Sequence, residues 1–129
     1  MTKSSLLLVP FVLAAALNAP AARAGDADQV VASLCDYVAS NDKNRLRDKL
    51  KDAGIRLHTI YDGVRCNGMS LLRFAMDRKA EDAGEFIAKK LPGSLLSKAE
   101  DDGNTVLVWA ETNGFGQSGV AMTIRERLN

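Results

Sequence analysis

Two cysteines carry the most reactive side chains in this sequence, and Cys35 and Cys66 stand 31 positions apart. A redox-active pair usually occurs as Cys-x-x-Cys, so the wide spacing disfavours reversible thiol chemistry. A zinc site would need further ligands, and the chain has a single histidine, His58. An even pair of cysteines in an oxidising compartment is interpreted first as a structural disulfide. Whether the cysteines are redox-active, bind zinc or form a structural disulfide therefore depends strongly on the compartment of the protein.

Acid–base and metal chemistry have weaker support. His58 could act as a general base or a ligand, but no nucleophile motif accompanies it, so we expect an ordinary surface or half-buried side chain. Glu100, Asp101 and Asp102 offer oxygen ligands, yet an EF-hand that began at Asp101 would need Glu at its twelfth position, where Thr112 stands. We expect a polar turn there. The sequence predicts no catalytic residue, no metal site and no cofactor.

Two patterns suggest phosphate binding only superficially. Residues 114–119 read Gly-x-Gly-x-x-Gly, but that fingerprint should follow a strand and open a βαβ unit, and here it follows an apolar segment predicted to be helical. The basic stretch 43–51 and the pair Lys89-Lys90 could contact phosphate or lipid. Asp48 and Asp52 are interleaved with the basic residues, which indicates a solvated helix face with local ion pairs.

The N-terminal segment indicates the compartment in which the protein is expected. Lys3 precedes an apolar run, 6–17, and Ala22-Arg23-Ala24 has the small-x-small pattern of a signal-peptidase site. Pro10 and Asn18 interrupt the segment, which leaves it shorter than a membrane-spanning helix. We therefore predict a signal peptide over residues 1–24, a single domain over 25–129, a periplasmic or secreted protein, and no stable membrane insertion after cleavage.

Export changes both the charge and the expected cysteine chemistry. The whole chain has 17 basic and 16 acidic residues, and loss of Lys3 and Arg23 leaves 15 against 16, a net charge of −1. This balance argues against a nucleic-acid partner. In an oxidising compartment the two cysteines are expected to form a structural disulfide. Closing a loop of about 30 residues would stabilise the fold by roughly 3–4 kcal/mol in the chain-entropy model.

The spacing of apolar residues predicts a mostly helical domain. Helices are expected over 28–39 and through Leu46 and Leu50 up to Gly54. Two more are expected over 80–91, with Phe86, Ile87 and Leu91 facing inward, and over 120–128, with Val120, Ile124 and Leu128 facing inward. Residues 55–64 alternate in a way that would fit a short strand or an extended arm.

Two segments match each other at an interval of 35 residues. Residues 67–76 (NGMSLLRFAM) and 102–111 (DGNTVLVWAE) each place a glycine turn, then Ser70 or Thr105 as N-cap, then an apolar helix start. With the returning helices between and after them, the segments resemble ankyrin repeats, in which D-x-x-G-x-T-P-L-x-x-A-A opens the first helix. Neither copy has Pro after its Ser or Thr, and residues 55–66 are longer than an ankyrin hairpin. The resemblance implies a short stack of ankyrin-like helical hairpins, stapled here by one disulfide.

A second resemblance covers Leu34-Cys35, Arg45-Leu46-Arg47 and residues 60–68 with their Cys-Asn-Gly motif. These residues are similar to a family of small exported proteobacterial proteins defined only as a domain of unknown function. Membership would agree with export and with the cysteine pair, and it implies no activity.

The predicted function is binding of another protein, without catalysis. Ankyrin-like stacks recognise partners with their turn tips and the concave face of their first helices. The exposed candidates at the tips are Arg65, Asn67, Asp102 and Asn104. An inhibitor or immunity-type periplasmic protein is an alternative within this class. A thiol-dependent enzyme or redox factor using Cys35, Cys66 and His58 is the less favoured alternative outside it.

Overall fold

The computed structural model of the protein describes the backbone of residues 18–129 and the side chains from residue 27 onward. Within these residues the regular structure consists of eight α-helices and one 3-10 helix, with no strand beyond an isolated pairing of Cys66 with Met69. The predicted helical class is confirmed. The elements are α1 (Asn18–Ala39), α2 (Lys43–Asp52), α3 (Leu57–Ile60), the 3-10 helix (Tyr61–Gly63), α4 (Leu71–Asp77), α5 (Glu81–Lys90), α6 (Gly93–Leu96), α7 (Val106–Thr112) and α8 (Gly119–Leu128).

The chain divides after Val30 into two units, and α1 continues through the division. Of the predicted signal peptide, residues 1–17 lie outside the described residues, and the backbone of 18–24 belongs to α1. Across the described part of the chain, no helix is both long and apolar enough to span a bilayer. The second unit comprises residues 31–129.

Two helical hairpins, α4 with α5 and α7 with α8, form the centre of this unit. Their first helices pack against each other, and so do their second helices. The first helices have seven residues each and begin 35 positions apart, at Leu71 and Val106. Helix α2 packs against α5, and the ten-residue helices α2, α5 and α8 begin at intervals of 38 residues. The stacked arrangement follows the periodicity that the sequence predicted.

Close approach of three helices depends on a glycine in α5. Gly84 is buried, and a Cβ atom there would overlap the side chain of Val120 and lie 3.1 Å from the Cβ of Ala75. Val120 belongs to α8 and Ala75 to α4, so this one position lets α5 pack tightly against both. Interiors are packed densely enough that even one added methyl group there must displace a neighbour.

The turns before α4 and α7 each contain a glycine with a positive φ. Asn67 and Gly68 have φ values of 53° and 77°, and Gly103 has a φ of 83°, a region that glycine adopts without strain. Thr105 then caps α7 by accepting a hydrogen bond from the Val108 N–H. Ser70 occupies the predicted N-cap position of α4, but its hydroxyl makes no capping bond. The matching turns therefore share a glycine with a positive φ and differ in the residue before it and in the capping of the helix that follows.

The expected strand or extended arm at residues 55–64 is wrong. The segment forms α3 and the 3-10 helix, and Leu57 and Tyr61 are both buried. Their spacing of four fits one helical turn as well as strand alternation. The described residues offer no neighbouring strand to pair with this segment, so helical hydrogen bonds satisfy its backbone instead.

The predicted inward faces of α5 and α8 are only partly correct. Val120 and Ile124 are fully buried, but Leu128 is 40% exposed because it lies in the last turn of α8, where it extends toward Gly93. Ile87 is buried, whereas Phe86 is half-buried and carries the Lys90 ammonium group 5.6 Å from its ring centroid.

The predicted disulfide is confirmed. Cys35 in α1 is bonded to Cys66, and their Cα atoms lie 5.6 Å apart. Cys66 directly precedes the Asn67-Gly68 turn, whose ends are closed by backbone hydrogen bonds between Cys66 and Met69. The bond therefore attaches this turn to α1.

Candidate functional site

The turns that precede α4 and α7 lie on either side of a pocket of about 220 Å³, which we call the turn pocket. Arg65 and residues 68–70 line it from the first turn and residues 100–102 from the second, and Arg73 and Trp109 complete the lining. Arg65 crosses from one turn to the other and donates to Asp101 Oδ2 at 3.1 Å. Two of the four predicted tip residues, Arg65 and Asp102, therefore line one pocket although they are far apart in the chain.

Arg73, in α4, binds the second turn. It is 9% exposed, in the middle of an otherwise apolar stretch of α4. Its guanidinium binds Asp102 through two parallel hydrogen bonds of 2.8 and 2.9 Å, and it also donates to the backbone oxygen of Asn104 at 3.1 Å. Two-pronged pairing of this kind fixes orientation as well as distance. The turn at 102–104 therefore has a defined position relative to α4.

Glu100 supplies the second carboxylate. Its Oε1 lies 2.7 Å from Arg73 Nε, close enough for an ion pair although the angle is not that of a hydrogen bond. The Tyr61 hydroxyl donates to Glu100 Oε2 at 3.3 Å. The Arg73 guanidinium also lies over the Trp109 ring, 5.3 Å from its centroid, and that ring stacks on Phe115. Charge and aromatic contacts together enclose the arginine.

Two pKa shifts follow from this geometry. Hydrogen bonds from Arg73 hold the pKa of the Asp102 carboxyl well below its usual range, and the Asn104 N–H bond acts in the same direction. Burial raises the pKa of Tyr61 far above its usual value, and the neighbouring Glu100 charge adds to the rise. Asp102 therefore stays ionised and Tyr61 stays neutral across the whole physiological range.

The four predicted tip residues have different surroundings. Asn67 and Asn104 are exposed, and the Asn104 side chain lies beside the Asp102 carboxylate, where it helps to lower the pKa of Asp102. Arg65 is half-buried, with two bonds to backbone oxygens besides its pair with Asp101. The Asp102 carboxylate is directed to Arg73 and to the Asn104 N–H. Asn67 and Asn104 have the amide groups most free to meet a partner, whereas Asp102 holds the turn.

Sequence reasoning missed Arg73. Its one available signal was a charged residue within the apolar run Leu71–Met76, which implies a buried partner. At the position equivalent to the buried Phe74, Trp109 is half-exposed at the pocket wall, next to the exposed Val108.

The other motifs have structural explanations. Of Glu100, Asp101 and Asp102, each faces an arginine, and no group of three His, Cys, Asp or Glu residues in the described part of the chain is placed to hold a metal ion. In the Gly-rich segment, residues 114–118 belong to the loop between α7 and α8, and Gly119 begins α8. The Gly119 N–H at its end already donates to the Glu81 carboxylate at 2.7 Å, where a bound phosphate would be repelled.

These features define a class, a disulfide-bonded stack of short helical hairpins in which a nearly buried arginine in the first helix of one hairpin binds the turn before the next. The sequence model of one family, described as "Protein of unknown function (DUF3718)", matches residues 34–99. The chain belongs to this family. No curated protein and no solved structure matched the chain.

The match contains both cysteines and the first of the two turns, and it ends one residue before Glu100. Helices α7 and α8, with the second turn and its carboxylates, lie beyond it. The predicted membership in a family of uncharacterised activity is confirmed. The exported proteobacterial character of that family and the ankyrin resemblance remain predictions.

Proposed function

We propose that this protein is exported and binds another protein, without catalysis, through the turn pocket and the two turns beside it. The observation that carries the proposal is the fixed geometry of these turns. Arg73 ties the second turn to α4, and the Cys35–Cys66 bond ties the first turn to α1. Turns held in one conformation lose little freedom when a partner binds, which favours affinity.

The chemistry of the exposed groups supports a protein partner. The amides of Asn67 and Asn104 offer donors and acceptors, and the Trp109 ring offers a partly exposed aromatic surface in the lining of the turn pocket. Aromatic and amide groups on a rigid support are typical of protein interfaces. The proposal includes an ankyrin-like arrangement of the hairpins. A tight complex of one copy of this protein with one copy of its partner would indicate an inhibitor or immunity-type protein.

The direct test is affinity capture of the mature protein's partners from a periplasmic fraction, followed by mass spectrometry and a binding measurement with the purified partner. The variant pair Asn67→Gly with Asn104→Ala removes both amides, and glycine at 67 preserves the positive φ. We expect the affinity for the partner to fall by about tenfold or more, as for loss of central interface contacts.

Gln117→Ala serves as the control, because Gln117 is an exposed amide in the loop between α7 and α8. It should leave the affinity unchanged. If the partner bound the wild-type protein and the Asn67→Gly, Asn104→Ala double variant with equal affinity, the proposed binding surface would be refuted. Turnover of a substrate by the purified protein would refute the non-catalytic assignment.

A further inference from the structure

A second concavity lies away from the turns, where α2 and α5 meet the segment that leads into α3. It has a volume of about 310 Å³ and shares no lining residue with the turn pocket. We call it the cationic groove. Its floor is apolar and consists of Leu50, Ile55, Leu57 and Phe86. Ile55 and Phe86 are only half-buried, so part of this apolar surface faces the opening.

The charged residues at the rim of the groove are all basic. Arg47, Arg56 and Lys90 line it together with His58, and no acidic residue is among the lining side chains. The acids of α2 lie elsewhere: Asp48 and Asp52 line a separate surface depression together with Arg45 and Lys49. The lining of the groove therefore contains a basic residue of α2 and none of its acids.

The rim cations have no carboxylate partner among the described residues. None of the ion pairs in residues 27–129 includes Arg47, Arg56 or Lys90. Arg47 donates to the neutral side chain of Asn44, and Lys90 lies over the Phe86 ring. By contrast, Arg65, Arg73 and Arg125 are each paired with an acid. The groove therefore concentrates uncompensated positive charge beside exposed apolar surface.

We propose that the cationic groove binds a small anionic amphiphile, namely a single short acyl chain with a carboxylate head. The acyl chain would lie on the floor formed by Leu50, Leu57 and Phe86, and the carboxylate would meet the cations at the rim. Complementary charge selects the anionic head, because a partner with a positive or neutral head leaves the rim uncompensated. A volume near 310 Å³ is at the lower end of the range of about 300–1,000 Å³ for small-molecule sites, which suits one chain.

The experiment is an NMR titration of the purified protein with decanoate, below the concentration at which decanoate forms micelles. We expect saturable shifts at Ile55, Leu57, Phe86 and their neighbours. Decanol, with the same tail and no charge, and acetate, with the charge and no tail, should each bind at least tenfold more weakly. The double variant Arg56→Gln with Lys90→Gln should weaken decanoate binding by about tenfold, since each charge-assisted contact contributes a few-fold.

Lys51→Gln is the matched control, because it removes one charge from exposed α2 surface outside the groove. It should leave the decanoate affinity unchanged, and the melting temperature of every variant should match that of the parent. Shifts at the turn pocket instead of the groove, equal binding of decanol and decanoate, or an unchanged affinity in the double variant would each overturn the proposal. Groove shifts with an acidic peptide and none with decanoate would overturn it as well, in favour of a protein ligand.

Discussion

Arg73 illustrates how one residue determines the local structure of this protein. Its neighbours in α4 are apolar, and its own side chain is nearly buried. A charge removed from water is tolerated when opposite charges and hydrogen bonds replace the lost solvation. Glu100, Asp102 and the Asn104 carbonyl provide that replacement. The arginine therefore specifies the position of residues 100–104 as much as it stabilises them.

Replacing Arg73 by Met should destabilise the protein by about 3 kcal/mol, because Glu100 would keep a mostly buried charge without a partner. The loss of stability in Arg73→Lys should be smaller than in Arg73→Met but not zero, since lysine retains the charge and loses the two-pronged geometry. Urea unfolding measures both. Lys98→Met is the control: its pair with Asp62 is exposed, and its loss should cost less than about 1 kcal/mol. A similar loss in Lys98→Met and Arg73→Met would contradict the buried-pair account.

Stability should also fall in acid through Asp102. Arg73 lowers the folded-state pKa of this carboxyl below its ordinary value of 3.8, so the unfolded chain takes up the proton first as the pH falls. The stabilisation from this group is therefore complete above about pH 5 and is lost below the ordinary value. Thermal unfolding between pH 7 and pH 2 tests this: Asp102→Asn should be less stable at pH 7 and show a shallower acid decline. An unchanged acid slope in the variant would be inconsistent with the assignment.

The candidate site could be predicted from the sequence only where local chain geometry defines it. Asn67 and Asn104 belong to turns, and turn chemistry is readable from neighbouring residues. Arg73 meets Asp102 across 29 positions, and no local pattern specifies which of the chain's many acids an arginine will face. For the same reason, Asp102 was recognised as a turn residue but not as the partner of a buried charge.

At the scale of elements, the interval between similar segments was the most reliable signal. The match between residues 67–76 and 102–111 predicted the starts of α4 and α7, because turn, cap and apolar helix start are all locally encoded. Residues 55–64 were mispredicted because the spacing of Leu57 and Tyr61 fits both the helical period and the strand alternation. Only tertiary packing distinguishes a helical turn from a strand in so short a segment.

The packing of α5 depends on the absence of a side chain at Gly84. Gly84→Ala should destabilise the protein by about 1–3 kcal/mol, because the new methyl group overlaps Val120 and presses on Ala75. Gly63→Ala is the matched control: nothing lies within 4 Å of the added Cβ, and the change should be near zero. Calorimetry of the two variants provides the comparison. A gain in stability for Gly84→Ala, as expected of an uncrowded helix, would show that the three helices are not in tight contact there.

At the scale of the whole molecule, a small core and a covalent bond act together. The expected mature chain has about 105 residues, a size at which one added constraint is a large share of net stability. The disulfide joins α1 to the first turn and closes a loop of 31 residues. The same bond that favours folding in an oxidising compartment thus also holds the proposed binding turn.

The double variant Cys35→Ala with Cys66→Ala should lose roughly 3–4 kcal/mol by the chain-entropy estimate and melt at a lower temperature. Thiol titration of the purified wild-type protein should find no free thiol, since both cysteines are bonded to each other. Two reactive thiols in a fully folded protein would instead favour the redox alternative.

The central claim is that the two turns form a protein-binding surface, and photocrosslinking in the cells that produce the protein tests it most directly. A photoreactive amino acid is placed at Asn67, at Asn104 and, as a control, at the exposed Glu126 of α8. The account predicts one and the same crosslinked partner from positions 67 and 104 and none from 126. No crosslink from either turn, or equal crosslinking from all three positions, would contradict it.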